Sequence, residues 1–407
     1  MHSLNAKDTQ SRVSLYVFLE RDLLLYIMNK KGSERIFISL GSNQGNRWAH
    51  LQRTIFILEE KAGSVLQCSP VYENPAVGFD GAPFYNCCVE LETELNPQAL
   101  LEVLLECEKE AGRLRSGRGY SDRPIDLDLL FYGDQRIENE ALEVPHPRLH
   151  NRGFVLQPLV DLGIGSYHHP NLEKPVAELA DNAPDKGDLQ VVDGRLFCSV
   201  TEIFDQLDYL AIEGNIGVGK TSLTKKLAAD HNARLLLERF EDNPFLPPFY
   251  KDPQRYAFPL EMSFLADRFQ QLQEQLPQSS LFSDRVFSDY HLSKSLLFAQ
   301  VTLEADELRL YKKLYTLMQQ SLPQPQLYVY LQQNTERLLE NIKKRGRSYE
   351  QEIKPDYLQQ VEEGYRLFLQ QYPGPKLLID VSDLDFMENP ADYHYIIREI
   401  GVFLSKK

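Results

Sequence analysis

The sequence predicts an α/β chain of two units: an N-terminal ferredoxin-like α+β unit, and a C-terminal unit with a parallel sheet flanked by helices. In the first half, apolar runs follow the order β-α-β-β-α-β, which is typical of a ferredoxin-like layer. In the second half, strand patterns alternate with long helical patterns, as in sheets covered on both faces. A glycine-rich loop stands between a strand and a helix where this second half begins. A length of 407 residues also favours more than one domain.

The first unit is predicted to span 35–170. Its elements are short runs whose apolar residues recur with the period of a strand or of a helix. Strands are predicted at 35–40, 65–71, 85–91 and 125–132, and helices at 48–62 and 97–112. The next stretch, 171–203, is rich in Pro, Asp, Lys and Gly, so it is predicted to be a tail or linker.

Residues 1–34 are predicted to be a poorly ordered extension. Charged residues separate its two apolar runs, 13–19 and 23–28, and neither run is long enough to span a bilayer. Lys7 and Arg12 precede the first run as in a weak signal peptide, but no convincing cleavage site follows. Met28 is an alternative start, because the sequence after it leads directly into the first strand.

Composition restricts the class of partner. The net charge of −15 argues against an extended nucleic-acid footprint, because phosphate backbones need a basic face. The five cysteines are scattered and form no Cys-x-x-Cys pair, which predicts reduced thiols, a cytoplasmic location and no zinc site. We therefore expect small-molecule substrates, no nucleic acid and no membrane.

The second unit, 204–407, opens on a phosphate-binding loop. Residues 214–221 read GNIGVGKT and fit G-x-x-x-x-G-K-[ST] between a strand-like run and a helical pattern. Loop N–H groups and the helix N-terminus cradle phosphates, so an ATP site is predicted, with Lys220 at the β/γ-phosphates and Thr221 on Mg²⁺. The residues predicted to bind ATP here are Gly214, Asn215, Gly217, Gly219, Lys220 and Thr221. Further helices are predicted at 256–276, 289–320 and 335–345, and strands at 326–331 and 376–381.

Two charged clusters mark the first unit. Asp126 and Asp128 lie two residues apart on a predicted strand, so both face the same side, where Mg²⁺ would relieve their repulsion. A solvated acidic face is the alternative, although the neighbouring residues are apolar. Arginines 113, 115, 118 and 123 lie in a glycine- and serine-rich loop, which suits either polyphosphate binding or a plain solvent loop.

At these residues the first half resembles 6-hydroxymethyl-7,8-dihydropterin pyrophosphokinase of folate biosynthesis. The motifs appear in family-like order over about 35–165: LGSN at 40–43, GNR at 45–47, FYN at 84–86, GRLR at 112–115, RPIDLD at 123–128, VPH at 144–146 and NRGF at 151–154. One departure is Tyr120, where many relatives carry tryptophan.

The resemblance implies a role for each matched residue. Asp126 and Asp128 would hold two Mg²⁺ ions, and Arg113 and Arg123 would contact the transferred pyrophosphoryl group. The remaining residues implied by the resemblance are His146, Arg152 and Arg115 for ATP, and Phe84, Phe154 and Asn86 for the flat pterin.

The second half, over about 206–405, resembles the deoxyribonucleoside kinases. Its motifs are Glu238 followed by NPFL at 243–246 and YKDP at 250–253, FL at 264–265 with Arg268, DR at 284–285, RGR at 345–347 with Glu350, and DF at 385–386. Glu238 would be the general base for the 5′-OH, with Arg285 orienting it and Glu241 as a rival base.

The same resemblance implies the remaining site. Asp284 would join Thr221 around Mg²⁺, and Arg345 and Arg347 would clamp the phosphates. The other implied contacts are Tyr250 and Glu350 to the sugar 3′-OH, Asp385 and Phe386 to the ATP base, and Glu261, Arg268 and Asp289 to the acceptor base.

Three departures from that family bear on the acceptor. Glu261 replaces a frequent glutamine, and Asn341 replaces an arginine that is frequent in the family's lid, for which Lys343 or Lys344 could substitute. Arg285 and Asp289 are also one residue closer together than in many relatives, which leaves the pairing of Asp289 with Arg268 open. An ionised carboxylate accepts hydrogen bonds but cannot donate them, which favours a purine. We expect deoxyadenosine as the acceptor, with deoxyguanosine as the alternative.

The sequence thus predicts a bifunctional, Mg²⁺-dependent enzyme that uses ATP in both halves and forms a homodimer through the kinase unit. One rival hypothesis is a single active kinase whose other unit serves regulation or dimerisation. Another is a nucleotide-dependent switch without transfer activity. The intact set of charged residues, Asp126, Asp128, Lys220 and Glu238, favours two active sites.

Overall fold

The computed structural model describes residues 35–113, 121–239, 243–276, 285–347, 350–351 and 353–405. The predicted extension 1–34 therefore lies outside the described residues. The chain divides into two compact units, with the boundary between Ser199 and Val200. Among the helices that the structure describes, none combines the length and the apolar character needed to cross a membrane.

The first unit contains an antiparallel sheet in the order β5-β1-β4-β3-β8, with β2 also paired to β4. Its strands are β1 Ile36–Ser42, β2 Ser64–Cys68, β3 Val71–Asn74, β4 Phe84–Glu92, β5 Asp126–Tyr132, β6 Ile137–Glu138, β7 Glu143–Val144 and β8 Gln190–Val192. Its helices are α1 Arg47–Lys61, α2 Pro97–Glu110, α3 Gly153–Leu159 and α4 Val176–Asp181. The predicted α+β layer is confirmed.

Strand β1 shows why both faces of this sheet are covered. Successive strand residues point to opposite faces. Ile36 and Ile38 of β1 pack into a core with α1 and α2 residues, whereas Phe37 between them packs into a second core with α3 and α4. The predicted single strand 65–71 is divided into β2 and β3 at Pro70, which has no N–H to donate to a ladder.

Most of the segment predicted as a linker, 171–199, is part of this unit, which corrects the interpretation of 171–203. Its strand β8 extends the sheet by pairing with β3, and α4 lies in the second core. The side chain of Gln52 on α1 accepts from the N–H of Phe197 at 2.9 Å and donates to its carbonyl at 2.8 Å. Gly194 lies against Trp48, where a Cβ would come within 2.6 Å of the indole ring. The segment is mostly polar, so its composition did not indicate that a few of its residues attach it to the unit.

The second unit contains a parallel sheet in the order β10-β11-β9-β12-β13, flanked by helices, as predicted. Its strands are β9 Tyr209–Gly214, β10 Arg234–Leu236, β11 Val286–Ser288, β12 Leu327–Gln332 and β13 Lys376–Asp380. Its helices are α5 Val200–Phe204, α6 Lys220–Asp230, α7 Leu246–Phe249, α8 Pro253–Gln275, α9 Ser293–Thr302, α10 Ala305–Gln319, α11 Thr335–Arg345, α12 Pro355–Gln371 and α13 Pro390–Leu404.

The predicted helix 289–320 is two helices. Leu303 leaves the helical conformation after α9, and Glu304 then begins α10 with a capping box to Glu307. The strands β9, β10 and β11 all run in one direction. The residues that follow their carboxyl ends therefore meet at one edge of the sheet, where ligands bind in α/β folds.

Candidate active sites

Asp126 and Asp128 form the acidic centre of the first unit. They alternate along β5 with the buried Leu127 and Leu129, so both carboxylates face the same side. Arg113 Nη1 lies 2.5 Å from Asp126 Oδ1, and Arg123 Nη2 lies 3.4 Å from Asp126 Oδ2. The predicted acidic pair and two of the predicted arginines are therefore brought together.

The second carboxylate of this pair, Asp128, has its own cationic neighbours. Arg152 Nη1 donates to Asp128 Oδ2 at 3.3 Å, and His146 Nε2 lies 3.7 Å from Asp128 Oδ1. Burial lowers the pKa of His146, while the Asp128 charge opposes that shift. The cluster resembles a polyphosphate site, in which fixed cations and a carboxylate-bound metal share the ligand's charge.

An open cleft of about 1050 Å³ lies beside the two aspartates. Phe84, Asn86 and Phe154, the residues implied for the pterin, all line it. Asn86 donates to Asn74 Oδ1 at 2.6 Å, which fixes the orientation of its amide. Gly41 permits this position, because a Cβ there would lie 2.6 Å from Asn86 Oδ1. The cleft thus offers two aromatic side chains and one oriented amide to a flat ligand.

Two further residues orient the arginines and were missed as site residues. Glu108 on α2 is 2% exposed, accepts from the N–H of Leu127 at 3.0 Å and also accepts from Arg113. Asn43, which belongs to the LGSN motif, accepts from the N–H of Arg123 at 2.8 Å. A glutamate on the buried face of an apolar helix was the available signal for Glu108. Arg115, Arg118 and Tyr120 lie outside the described residues.

The glycine-rich loop of the second unit follows β9, as predicted. Gly219 has a φ of +97° immediately before α6, and a Cβ at this position would lie 2.8 Å from the Phe386 ring. Lys220 Nζ donates to the carbonyl oxygens of Gly214 at 2.7 Å and Asn215 at 2.9 Å. Burial, reinforced by the charge of Lys294, lowers the pKa of Lys220 to about 8.

Asp289 is the carboxylate that faces Thr221 across the sheet edge. Thr221 donates its hydroxyl to Asp289 Oδ2 at 2.5 Å, and Asp289 Oδ1 accepts from the N–H of Glu238 at 2.8 Å. The pairing of Asp289 with Arg268, which the sequence left open, is not formed, because Asp289 directly follows β11 and points to the loop. Asp284, predicted to join Thr221, lies outside the described residues.

Glu238 follows β10 and is held by two cations. Arg268 donates to its Oε1 from Nε at 2.8 Å and from Nη2 at 2.5 Å, and Lys294 Nζ lies 2.5 Å from its Oε2. Burial disfavours the charged form, but the charges of Lys294 and Arg268 outweigh burial and hold the pKa of Glu238 well below its usual value. Glu241, the rival base, lies outside the described residues.

Arg285 does not contact Glu238, which corrects its predicted orienting role. Its guanidinium pairs with Asp205, whose side chain is 54% exposed. Arg285 precedes β11, so it lies at the amino end of the strand, whereas Glu238 and Asp289 follow the carboxyl ends of their strands. Lys294, on α9, occupies the place that sequence reasoning gave to Arg285. No motif identified it; the signal was a lysine within an apolar helical segment.

Glu261 lies on α8 and is 2% exposed. Thr302 donates to its Oε1 at 3.1 Å, while its buried Oε2 has no hydrogen-bond partner among the described residues. Burial raises the pKa of Glu261 to about 7, against the charge of Arg268. The expectation of a purely acceptor group at 261 is therefore incomplete, since the neutral acid can donate.

Two clefts meet at the glycine-rich loop. The first contains the residues implied for the acceptor. The second contains most of the residues predicted for ATP, including Asp385 and Phe386, but Gly214 and Asn215 do not line it. The residues that line both are Gly217, Lys220, Thr221, Arg345 and Arg347. Such a junction is where a phosphoryl group could pass from one ligand to the other.

Arg345 and Arg347 form ion pairs in the first of these clefts, which we call the acceptor cleft. Arg345 donates to Glu350 Oε2, and Arg347 Nη1 donates to Glu350 Oε1 at 3.2 Å. Glu350 and Tyr250 both line this cleft. Asn341 stands at a position where the family often has an arginine. Its side chain donates to the carbonyl of Gly217 at 2.9 Å and so contacts the backbone of the glycine-rich loop.

These features define two ATP-dependent phosphotransfer units in one chain. Residues 37–163 match the family described as 7,8-dihydro-6-hydroxymethylpterin-pyrophosphokinase, and residues 210–405 match the family described as deoxynucleoside kinase. The chain belongs to both families, the first through its N-terminal unit and the second through its C-terminal unit.

Three similar proteins illustrate the two halves. Deoxyguanosine kinase of Bacillus subtilis is 35% identical over 197 residues, which is 47% of this chain and 95% of that protein. The 2-amino-4-hydroxy-6-hydroxymethyldihydropteridine pyrophosphokinase of B. subtilis is 43% identical over 128 residues, covering 31% of this chain and 76% of the relative. A solved structure of deoxyadenosine kinase from M. mycoides aligns at 25% identity with a TM-score of 0.41, covering 47% of this chain and 97% of that chain.

Proposed function

We propose that the first unit transfers pyrophosphate from ATP to 6-hydroxymethyl-7,8-dihydropterin and releases AMP, as a step in folate biosynthesis. The observation that carries this is the cleft in which Phe84, Phe154 and Asn86 lie beside Asp126 and Asp128. Stacking rings and an oriented amide suit a pterin. The adjacent cations suit a polyphosphate, because phosphoryl transfer depends on alignment and charge neutralisation.

The residues present fit Mg²⁺ in both units. In the first unit, Asp126 and Asp128 would hold it, because both face the same side of β5; in the second, Thr221 and Asp289 would, because their side-chain oxygens face each other beside the glycine-rich loop. Hard oxygen ligands of this kind, completed by substrate phosphates and water, are those that Mg²⁺ prefers. Bound there, Mg²⁺ would neutralise phosphate charge.

For the second unit, we infer phosphorylation of a purine deoxynucleoside on its 5′-OH with ATP. Glu238 is ionised and lies at the carboxyl edge of the sheet, so it can orient the 5′-OH and accept its proton. Arg268 and Lys294 position that carboxylate from either side. Lys220, Arg345 and Arg347 bind the phosphates. When the two arginines bind phosphate, their ion pairs with Glu350 break, and Glu350 and Tyr250 contact the sugar.

Glu261 recognises the base of the acceptor nucleoside by hydrogen bonding, and we expect deoxyadenosine to be the preferred acceptor. Similarity to a deoxyguanosine kinase supports deoxyguanosine as the alternative. A site that leaves a buried polar group unpaired loses about ten- to a hundredfold in rate. Deoxyadenosine should therefore be phosphorylated faster than deoxycytidine or thymidine by at least that factor. Competition among the four deoxynucleosides tests this, and a pyrimidine as best substrate would refute it.

A homodimer through the second unit and a cytoplasmic location remain predictions. In support of the dimer, Leu310 and Leu317 on α10 are 51% and 69% exposed and lie seven residues apart on one face. Sedimentation of the full chain, with Leu317→Lys as the weakened variant, tests this arrangement.

A further inference from the structure

The acceptor cleft of the second unit contains a carboxyl group with one oxygen that has no hydrogen-bond partner in the part of the chain that the structure describes. Glu261 lines the cleft, and its Oε1 accepts from Thr302 at 3.1 Å. Its Oε2 is buried and unpartnered among the described residues. A buried polar atom without a partner destabilises the protein unless a ligand supplies the missing hydrogen bond. Glu261 is therefore built to contact the substrate that fills this cleft.

The charged surroundings of Glu261 leave it without a counter-ion of its own. The titratable groups that face it are Arg268 on α8, Lys294 on α9, Tyr311 on α10, Tyr357 on α12 and Glu238 after β10. Both cations among them are already bonded to Glu238. Their charge is thus largely compensated, and burial raises the pKa of Glu261 to about 7. Both protonation states are accessible near neutral pH.

The two protonation states match different purines. A neutral carboxylic acid offers one donor and one acceptor, which complements the N1 acceptor and N6 amine of adenine. An ionised carboxylate offers two acceptors, which complement the N1–H and N2 amine of guanine. In either mismatched combination, at least one polar atom of the base or of Glu261 stays unpaired beside the buried end of Glu261.

We propose that the protonation state of Glu261 selects the acceptor: the neutral acid takes deoxyadenosine, and the ionised form takes deoxyguanosine. This inference rests on the proposed deoxynucleoside kinase activity, and it accounts for both acceptors within one site. Glu261 is then a specificity-determining residue whose preference changes with pH.

The test measures kcat/KM for deoxyadenosine and deoxyguanosine with the full chain, ATP and Mg²⁺, from acidic to basic pH. The ratio of the two values removes every ionisation that both reactions share, including those of Glu238, Lys220 and ATP. We expect the ratio of deoxyadenosine to deoxyguanosine to fall about tenfold per pH unit around neutrality, between plateaus set by each state's residual activity.

Two variants separate this effect from other titrations. In Glu261→Gln the amide always provides one donor and one acceptor, so the ratio should favour deoxyadenosine and stay constant with pH. In Thr302→Val the ionised form loses a hydrogen bond, so the change in ratio should move to higher pH. Unfolding of the second unit at the wild-type temperature confirms that each variant is folded, and unchanged AMP formation by the first unit confirms equal amounts of protein.

The outcomes are distinct. A wild-type ratio that is constant across pH, with both nucleosides phosphorylated, overturns the role of Glu261 and leaves the kinase function standing. The role of Glu261 is also overturned if the ratio of deoxyadenosine to deoxyguanosine activity in Glu261→Gln depends on pH as it does in the wild type. If no deoxynucleoside is phosphorylated at any pH, the proposed function itself fails, and this inference fails with it.

Discussion

Lys294 Nζ lies 2.5 Å from Glu238 Oε2, and the two side chains are 9% and 12% exposed. Arg268 holds the other carboxylate oxygen, so the general base proposed for the kinase unit is fixed from both sides. Neither contact follows from a motif, because Glu238 follows β10, whereas the cations lie on α8 and α9. The arrangement makes Lys294 a positioning residue for the proposed reaction.

Replacing Lys294 by Gln should lower deoxynucleoside phosphorylation by about a hundredfold or more, because Glu238 loses a charge partner in a buried site. Lys294→Arg should restore part of the activity, since it returns the charge. The acidic limb of the kcat/KM profile should also move to higher pH in Lys294→Gln, as the pKa of Glu238 rises. Steady-state ADP formation between acidic and neutral pH measures both effects.

Lys312→Gln is the matched control for this variant, because Lys312 is exposed on α10. It makes the same chemical change outside the cleft and should leave kcat/KM and its pH profile unaltered. Equal losses in both variants, or a profile in Lys294→Gln identical to that of the wild type, would argue against a positioning role.

Arg285→Ala tests whether Arg285, which pairs with Asp205, has any role in positioning Glu238. Its pair with Asp205 is exposed, and such pairs contribute about 1 kcal/mol or less to stability. We expect kcat/KM for the deoxynucleoside to stay within about twofold of wild type, since exposed ion pairs away from the site contribute little. A drop as large as that of Lys294→Gln would restore the role first predicted for Arg285.

The contrast between Arg285 and Lys294 shows what the sequence could and could not predict. Local features were accessible: the glycine loop, the alternation of Asp126 and Asp128 on β5, and the type of sheet in each unit. Contacts between distant segments were not, because they depend on where each short strand begins. Strand β11 begins at Val286, so Arg285 lies at its amino end, away from Glu238, and Asp289 follows its carboxyl end and reaches the loop.

The segment 171–199 shows the same limit for the fold. Its composition indicates a linker, but its stability within the unit comes from a few specific contacts, such as Gln52 with the backbone of Phe197. Backbone hydrogen bonds of this kind have no periodic signature in the sequence. Glu261 illustrates the third case, since its residue type was evident but its burial, and hence its protonation, was not.

Gln52→Leu should destabilise the first unit by about 2 kcal/mol or more, because it leaves a buried N–H and a buried carbonyl of Phe197 unpaired. Denaturant unfolding, followed by AMP-forming activity, measures the loss. Gln67→Leu is the control, since Gln67 is exposed on β2, and it should change stability by about 0.5 kcal/mol or less.

Truncated fragments test whether the segment 171–199 stabilises the first unit. Fragment 28–200 should fold and keep the pterin activity, and fragment 201–407 should keep the kinase activity. Fragment 28–170, which lacks β8 and the partner of Gln52, should be markedly less stable. Equal stability of 28–170 and 28–200 would mean that the segment packs without contributing to the fold.

Two active sites should work independently in one chain, and analysis of the products formed from ATP distinguishes them. Wild-type protein with ATP should form AMP with the pterin acceptor and ADP with deoxyadenosine. Asp126→Ala and Asp128→Ala should each lower AMP formation by about a thousandfold and leave ADP formation intact, whereas Lys220→Ala should do the reverse. Asp193→Ala, an exposed site in the first unit, should alter neither. Unchanged AMP formation in both aspartate variants, or loss of both products in any one variant, would contradict the account.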